Sequence, residues 1–120
     1  MAFAGWYGIA IGLLMLGQWR FFLASGSVPE VRTAPVALGF HLAAEAGTAL
    51  LLIAAGVGLL RKQAWGRIGM LVALGMLLYT AIVSPGYFAQ KGVWALVVMF
   101  GVIIIGALLA IRELLQPVQK

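Results

Sequence analysis

Four apolar runs, residues 3–24, 37–60, 68–84 and 93–111, constrain this chain more than any other feature. At about 1.5 Å of rise per residue they extend ~25 to 36 Å, which matches a hydrocarbon core of ~30 Å. Lipid offers no partner for a free backbone N–H or C=O, so runs of this length must close their hydrogen bonds internally as helices. The ten-residue alternation of apolar and polar positions that marks barrel strands is nowhere visible. The expected fold is therefore all-α: a single transmembrane domain over residues 1–120, built as an integral membrane four-helix bundle. The third run is the shortest and is expected to stand nearly upright.

Composition agrees, because 64% of the residues are apolar and only 9% charged, more apolar than a water-soluble domain of this size needs for its core. Eight Lys and Arg oppose three acidic residues. The basic residues sit between or near the ends of the runs, where they serve as orientation signals, and no nucleic-acid partner is expected. Cysteine is absent, which excludes disulfides and thiolate metal sites. The first run lacks a basic n-region and exceeds the usual h-region, so it reads as a retained helix.

The connecting segments are 25–36, which carries Pro29 and Pro35; 61–67, short and basic; and 85–92, with a Pro-Gly turn at Pro85 and Gly86. Four spans bring both termini to the side of the 61–67 loop. That side holds Arg61, Lys62, Arg67, Arg112 and Lys120, against Arg32 and Lys91 opposite and Arg20 at a boundary. The positive-inside rule then puts both termini in the cytoplasm, in a multi-pass protein of a prokaryotic cytoplasmic membrane.

Small residues recur at close-packing spacing as Gly8 and Gly12, Ala43 and Gly47, and Gly69 and Ala73. Such pairs let backbones approach where apolar burial alone gives little drive to associate. Trp6, Tyr7, Trp65, Tyr87, Phe88 and Trp94 lie near the expected interfaces and read as depth anchors.

Glu45 is the residue that asks for a function, since an acid inside a spanning helix is costly and needs a partner or a task. His41 precedes it by one turn and Thr48 follows it, all on one helical face. Antiparallel helices bring Gln18 and Arg20, His41 and Glu45, and Tyr79, Thr80 and Ser84 into the same half of the membrane. The fourth run has no comparable residue and reads as a packing or lipid-facing element. A polar site among the first three helices, opening outward, is expected, with Glu45, His41, Gln18, Arg20, Tyr79 and Thr48 as its residues. Arg20 either pairs with Glu45 or snorkels to the interface. One His and one Glu do not complete a zinc site, so the metal content is left open. No hydrolase or nucleotide-binding motif is present, and independent catalysis is not expected.

The segment HLAAEAGTALLLIAAGVGLLRKQAWGRIGMLVALGMLLYT, through Glu45, Gly47, Leu50 to Leu52, Gly58 and Arg61, resembles the DoxX-like family of small four-helix membrane proteins. The resemblance covers the middle third of the chain. It implies an accessory or quinone-facing role, since members are associated with membrane redox systems, including a quinone-linked thiosulfate-oxidising complex.

Three functions follow as expectations. The leading one is binding or transport of a small solute, ion or proton at Glu45. The second is an accessory or quinone-binding subunit of a membrane redox complex, with His41 or Tyr79 on a quinone carbonyl and Glu45 relaying its proton. The third is a structural or assembly protein whose polar cluster fixes helix register. Four helices of this size enclose little volume, so a homodimer or larger membrane complex is expected around the bilayer-embedded chain.

Overall fold

The structure is a computed structural model and describes residues 2–26 and 30–116. Among the described residues there are five helices and no strand: α1 (Ala2–Ala24), α2 (Glu30–Thr33), α3 (Pro35–Leu60), α4 (Ala64–Gln90) and α5 (Trp94–Leu115). All but the four-residue α2 are long and apolar enough to cross a membrane. With 22 to 27 residues each, they run roughly 33 to 40 Å at about 1.5 Å per residue.

The turns are shorter than the sequence suggests, and the backbone shows why. At the end of α3, Lys62 adopts the left-handed region (φ 57°), Gln63 N–H donates to Gly58 O at 2.8 Å, and Lys62 N–H donates to Leu59 O at 3.0 Å. This is a Schellman closure. The same closure ends α4, where Gly92 (φ 77°) occupies the left-handed position and Val93 N–H reaches Phe88 O at 2.9 Å. Two expectations are thereby corrected. Residues 85–92 do not form a Pro-Gly turn, because α4 continues through Pro85 and Gly86 to Gln90. Nor is the third span the shortest; it is the longest, at 27 residues. Pro85 only removes a donor to the Ala81 carbonyl, a defect that spanning helices tolerate.

Around the bundle, α1 lies beside α3 and α5, and α4 lies beside α3 and α5. The tightest approach is between α1 and α3. A methyl group on Gly12 would stand 2.6 Å from Ala49 O, and one on Gly56 would stand 2.6 Å from Gly5 O. These distances show the backbones in direct contact, the small-residue packing that lipid-embedded helices use. Gly8 and Gly12 lie in this seam, as their spacing predicts. Ala43 and Gly47 do not. Both are exposed, nothing lies within 4 Å of a methyl placed on Gly47, and the α3 face that meets α1 carries Ala49, Leu52 and Gly56 instead. Leu52, Met70, Leu74 and Leu114 are the largest fully buried side chains.

Polar contacts lock the end of the bundle where α1 begins and α5 finishes. Ala4 N–H donates to Glu113 Oε1 at 3.1 Å, placing a carboxylate at the positive end of α1. Arg67 Nε donates to Leu114 O at 2.7 Å, and the Tyr7 hydroxyl donates to Ile103 O. Tyr7 therefore ties α1 to α5. Trp6, Trp65 and Trp94 are exposed near helix ends. Pro29, the Tyr87 side chain and Lys120 lie outside what is described.

Candidate functional site

Ten residues of α3 precede Glu45, which puts its carboxyl about 15 Å along the helix. Glu45 is only 8% exposed, so its oxygens need protein donors to offset lost hydration. The Thr80 hydroxyl of α4 supplies one, donating to Glu45 Oε1. Thr80 Oγ1 in turn lies 3.2 Å from Ser84 Oγ, one turn along α4. On the other side, His41 Nε2 stands 3.7 Å from the same Glu45 oxygen. That is too long for a hydrogen bond, and it becomes an ion pair only when the imidazole is protonated. The His41 side chain is 47% exposed and lies edge-on to Trp19, with ring centroids 5.4 Å apart. A polar line thus runs from an exposed imidazole through a buried carboxylate to two hydroxyls.

This line borders a partly open cavity of about 640 Å³ in the half of the bundle where α1 and α4 end and α3 and α5 begin. Gln18, His41, Glu45, Thr80, Ser84 and Lys91 supply polar edges. The rest is mainly apolar and aromatic. Phe88 bridges Phe22 and Phe100, with centroids 6.1 Å from each, and all three line the space together with Trp19. The volume falls in the ~300–1,000 Å³ range of pockets that enclose drug-sized molecules.

Four of the six residues singled out from the sequence therefore need comment. Gln18 joins His41 and Glu45 on the cavity wall. Arg20 is exposed, does not line the cavity and makes no ion pair with Glu45 among the described residues. Tyr79 is 72% exposed and points away, so it is not the partner of Glu45. Successive helical residues are separated by about 100° of rotation, and the neighbouring Thr80 has the inward position. Thr48 is buried, but its hydroxyl donates to Ala44 O of its own helix at 2.8 Å and does not reach the cavity.

The wall also differs from expectation. Leu96, Phe100 and Ile103 of α5 line it, so the last helix closes the site with apolar surface and is not merely a lipid-facing element. Phe88, expected as a depth anchor, lines the cavity. Trp19, Phe22 and Phe100 are site residues that sequence reasoning missed. One signal did point to Thr80 and Ser84: the buried stripe Met70, Ala73, Leu74, Leu77 and Ala81 sets the inner face of α4, and both hydroxyls continue it. The same stripe leaves Tyr79 outside. As for metals, no three His, Asp or Glu side chains come together among the described residues. His41 and Glu45 are two donors on one helix, short of a tetrahedral zinc set.

Four helices long and apolar enough to span a bilayer, packed as a bundle around a buried carboxylate, define a multi-pass membrane protein. Within that class the chain belongs to the family described as a domain of unknown function, DUF8058, whose model matches residues 1–120. No curated protein and no solved structure matches the chain.

Proposed function

We propose that the protein binds a small lipid-soluble solute in the Glu45 cavity and takes part in moving it across or within a membrane. The observation that carries this reading is a 640 Å³ cavity, mainly apolar and aromatic, with a nearly buried carboxylate on its wall. An inorganic ion needs several oxygen ligands to replace its hydration. The cavity offers one carboxylate, two hydroxyls and Gln18 amid aromatic rings, so an organic solute suits it better than a bare ion. The orientation that goes with this reading places both termini in the cytoplasm. Its support is the count of basic residues: Arg61, Lys62, Arg67 and Arg112 at the terminal end, against Arg20, Arg32 and Lys91 at the cavity end. The cavity then faces the outer half of a prokaryotic cytoplasmic membrane.

Native mass spectrometry of gently extracted protein tests the binding. Wild type is expected to carry a non-lipid mass that Glu45→Gln loses. A clean species in both, together with no solute flux in liposomes, would refute the reading.

A second reading, a quinone-binding or accessory subunit of a redox complex, is favoured by donors placed beside an apolar space. His41 would hydrogen-bond a quinone carbonyl without the expected Tyr79, and the rings of Phe22, Phe88 and Phe100 would cover its faces. The DoxX-like sequence pattern supports the same role. Absence of quinone and of any redox partner after mild purification would count against it.

A further inference from the structure

We infer that the solute is a lipophilic organic cation, a hydrophobic amine or onium ion held by the Glu45 carboxylate against the aromatic wall. This rests on the solute-binding reading and narrows its chemistry.

The first support is the surroundings of Glu45. Among the described residues its carboxyl receives one hydrogen bond, from the Thr80 hydroxyl to Oε1. One hydroxyl does not neutralise a carboxylate. Arg20 is not at hand, and His41 stands 3.7 Å away with nearly half its side chain exposed, beyond hydrogen-bond reach. Among the described lining residues Glu45 is the one acid, and Lys91, which also borders the cavity, is exposed in the turn after α4. A nearly buried acid with no basic side chain in hydrogen-bond contact favours a ligand that brings a positive charge.

The second support is independent of charge. Trp19, Phe22, Phe88 and Phe100 all line the space, and Phe22, Phe88 and Phe100 form a continuous row of rings. Ring faces attract cations, most strongly when water is excluded. They also bury the hydrocarbon of an amphiphile. An anionic amphiphile would bring a second acidic group beside Glu45, and a neutral one would add no positive charge to it. A soft, weakly hydrated cation satisfies both halves of the wall. A small, strongly hydrated cation does not, since the aromatic side offers no oxygen ligands.

The test uses the full chain in nanodiscs of zwitterionic lipid, with tetraphenylphosphonium as the cationic probe and a neutral naphthoquinone as its uncharged counterpart. Equilibrium dialysis measures both. Saturable binding of the cation is expected, weakened about tenfold or more by Glu45→Gln and much less by Glu45→Asp. Naphthoquinone is expected to lose far less in the Gln variant than the cation does. Phe88→Leu and Phe100→Leu keep the carboxylate and should weaken the cation, which preserves the test if Glu45→Gln fails to fold. Saturable naphthoquinone binding without saturable cation binding would overturn this inference while leaving the solute-binding reading. Binding of neither probe would overturn both. Cation binding that is indifferent to Glu45→Gln in folded protein would remove the carboxylate from the site and refute the inference.

Discussion

Replacing Thr80 by valine isolates the contact on which the site geometry depends. The substitution keeps the branched shape and deletes the donor to Glu45. Hydrogen bonds to charged groups contribute ~1.5–3 kcal/mol in water-soluble proteins, whereas side-chain pairs inside membrane bundles average ~0.6 and reach ~1.7 kcal/mol. Glu45 is 8% exposed, which argues for the upper part of the membrane range. Ser84, 3.2 Å from the Thr80 hydroxyl, and His41, 3.7 Å from the carboxyl, remain as residual partners and hold the value near or under the bottom of the soluble range. A double-mutant cycle of Thr80→Val and Glu45→Gln should therefore give a coupling of about 1–1.7 kcal/mol. Reversible unfolding in mixed micelles, followed by circular dichroism, measures it. Tyr79→Phe combined with Glu45→Gln is the internal control and should be additive, because Tyr79 faces away from the cavity. Additivity for Thr80, or coupling for Tyr79, would show that the register of α4 is wrong by one residue and would dismantle the site as described.

Other perturbations follow from the packing. Gly12→Ala pushes a methyl to 2.6 Å from Ala49 O and should cost about 1–3 kcal/mol, while Gly47→Ala, with nothing within 4 Å, should be neutral or slightly stabilising in the same unfolding assay. Equal effects at the two positions would refute the α1–α3 seam. Lys62 holds a left-handed conformation (φ 57°), so Lys62→Gly should stabilise the α3–α4 turn. Relief of ~1–2 kcal/mol of steric cost, less ~0.5–1 kcal/mol for the freer unfolded chain, leaves a gain of up to about 1.5 kcal/mol in unfolding free energy. Tyr7→Phe removes the hydroxyl bond to Ile103 O and should lower stability by about 0.5–1.5 kcal/mol, whereas a value near zero would show that the tie between α1 and α5 is not made in the membrane.

Much of the fold was legible because its cause is local. A run of apolar residues long enough to cross lipid has no alternative to a helix, and that argument needs no knowledge of neighbours. Helix ends were less legible. Pro85 and Gly86 look like a turn in sequence, yet the turn sits where Gly92 takes the left-handed conformation and a Schellman pair closes the helix. Residues 61–67 read in sequence as one short basic loop, but α4 starts at Ala64 and Arg67 reaches Leu114 O from its first turn.

The site divides in the same way. Glu45 stood out because its cost is a property of one side chain in one spanning helix, and His41 followed from helical spacing alone. Depth arguments correctly gathered Gln18, Thr80 and Ser84 into one half of the bundle, since depth depends only on topology. Which of the residues at that depth face inward depends on the rotation of each helix, and rotation is set by packing. Tyr79 and Thr80 are neighbours in sequence, and the burial of Met70, Leu74 and Leu77 turned Thr80 in and Tyr79 out. The Gly5–Gly56 and Gly12–Ala49 contacts hold α1 beside α3, and α5 faces the cavity with Phe100. The sequence by itself determined that the chain spans a membrane with an acid inside it, because bilayer thickness and backbone hydrogen bonding act on each segment separately. Only the tertiary structure decided that this acid borders an aromatic cavity, because a cavity is the space left by several helices once their rotations are chosen together.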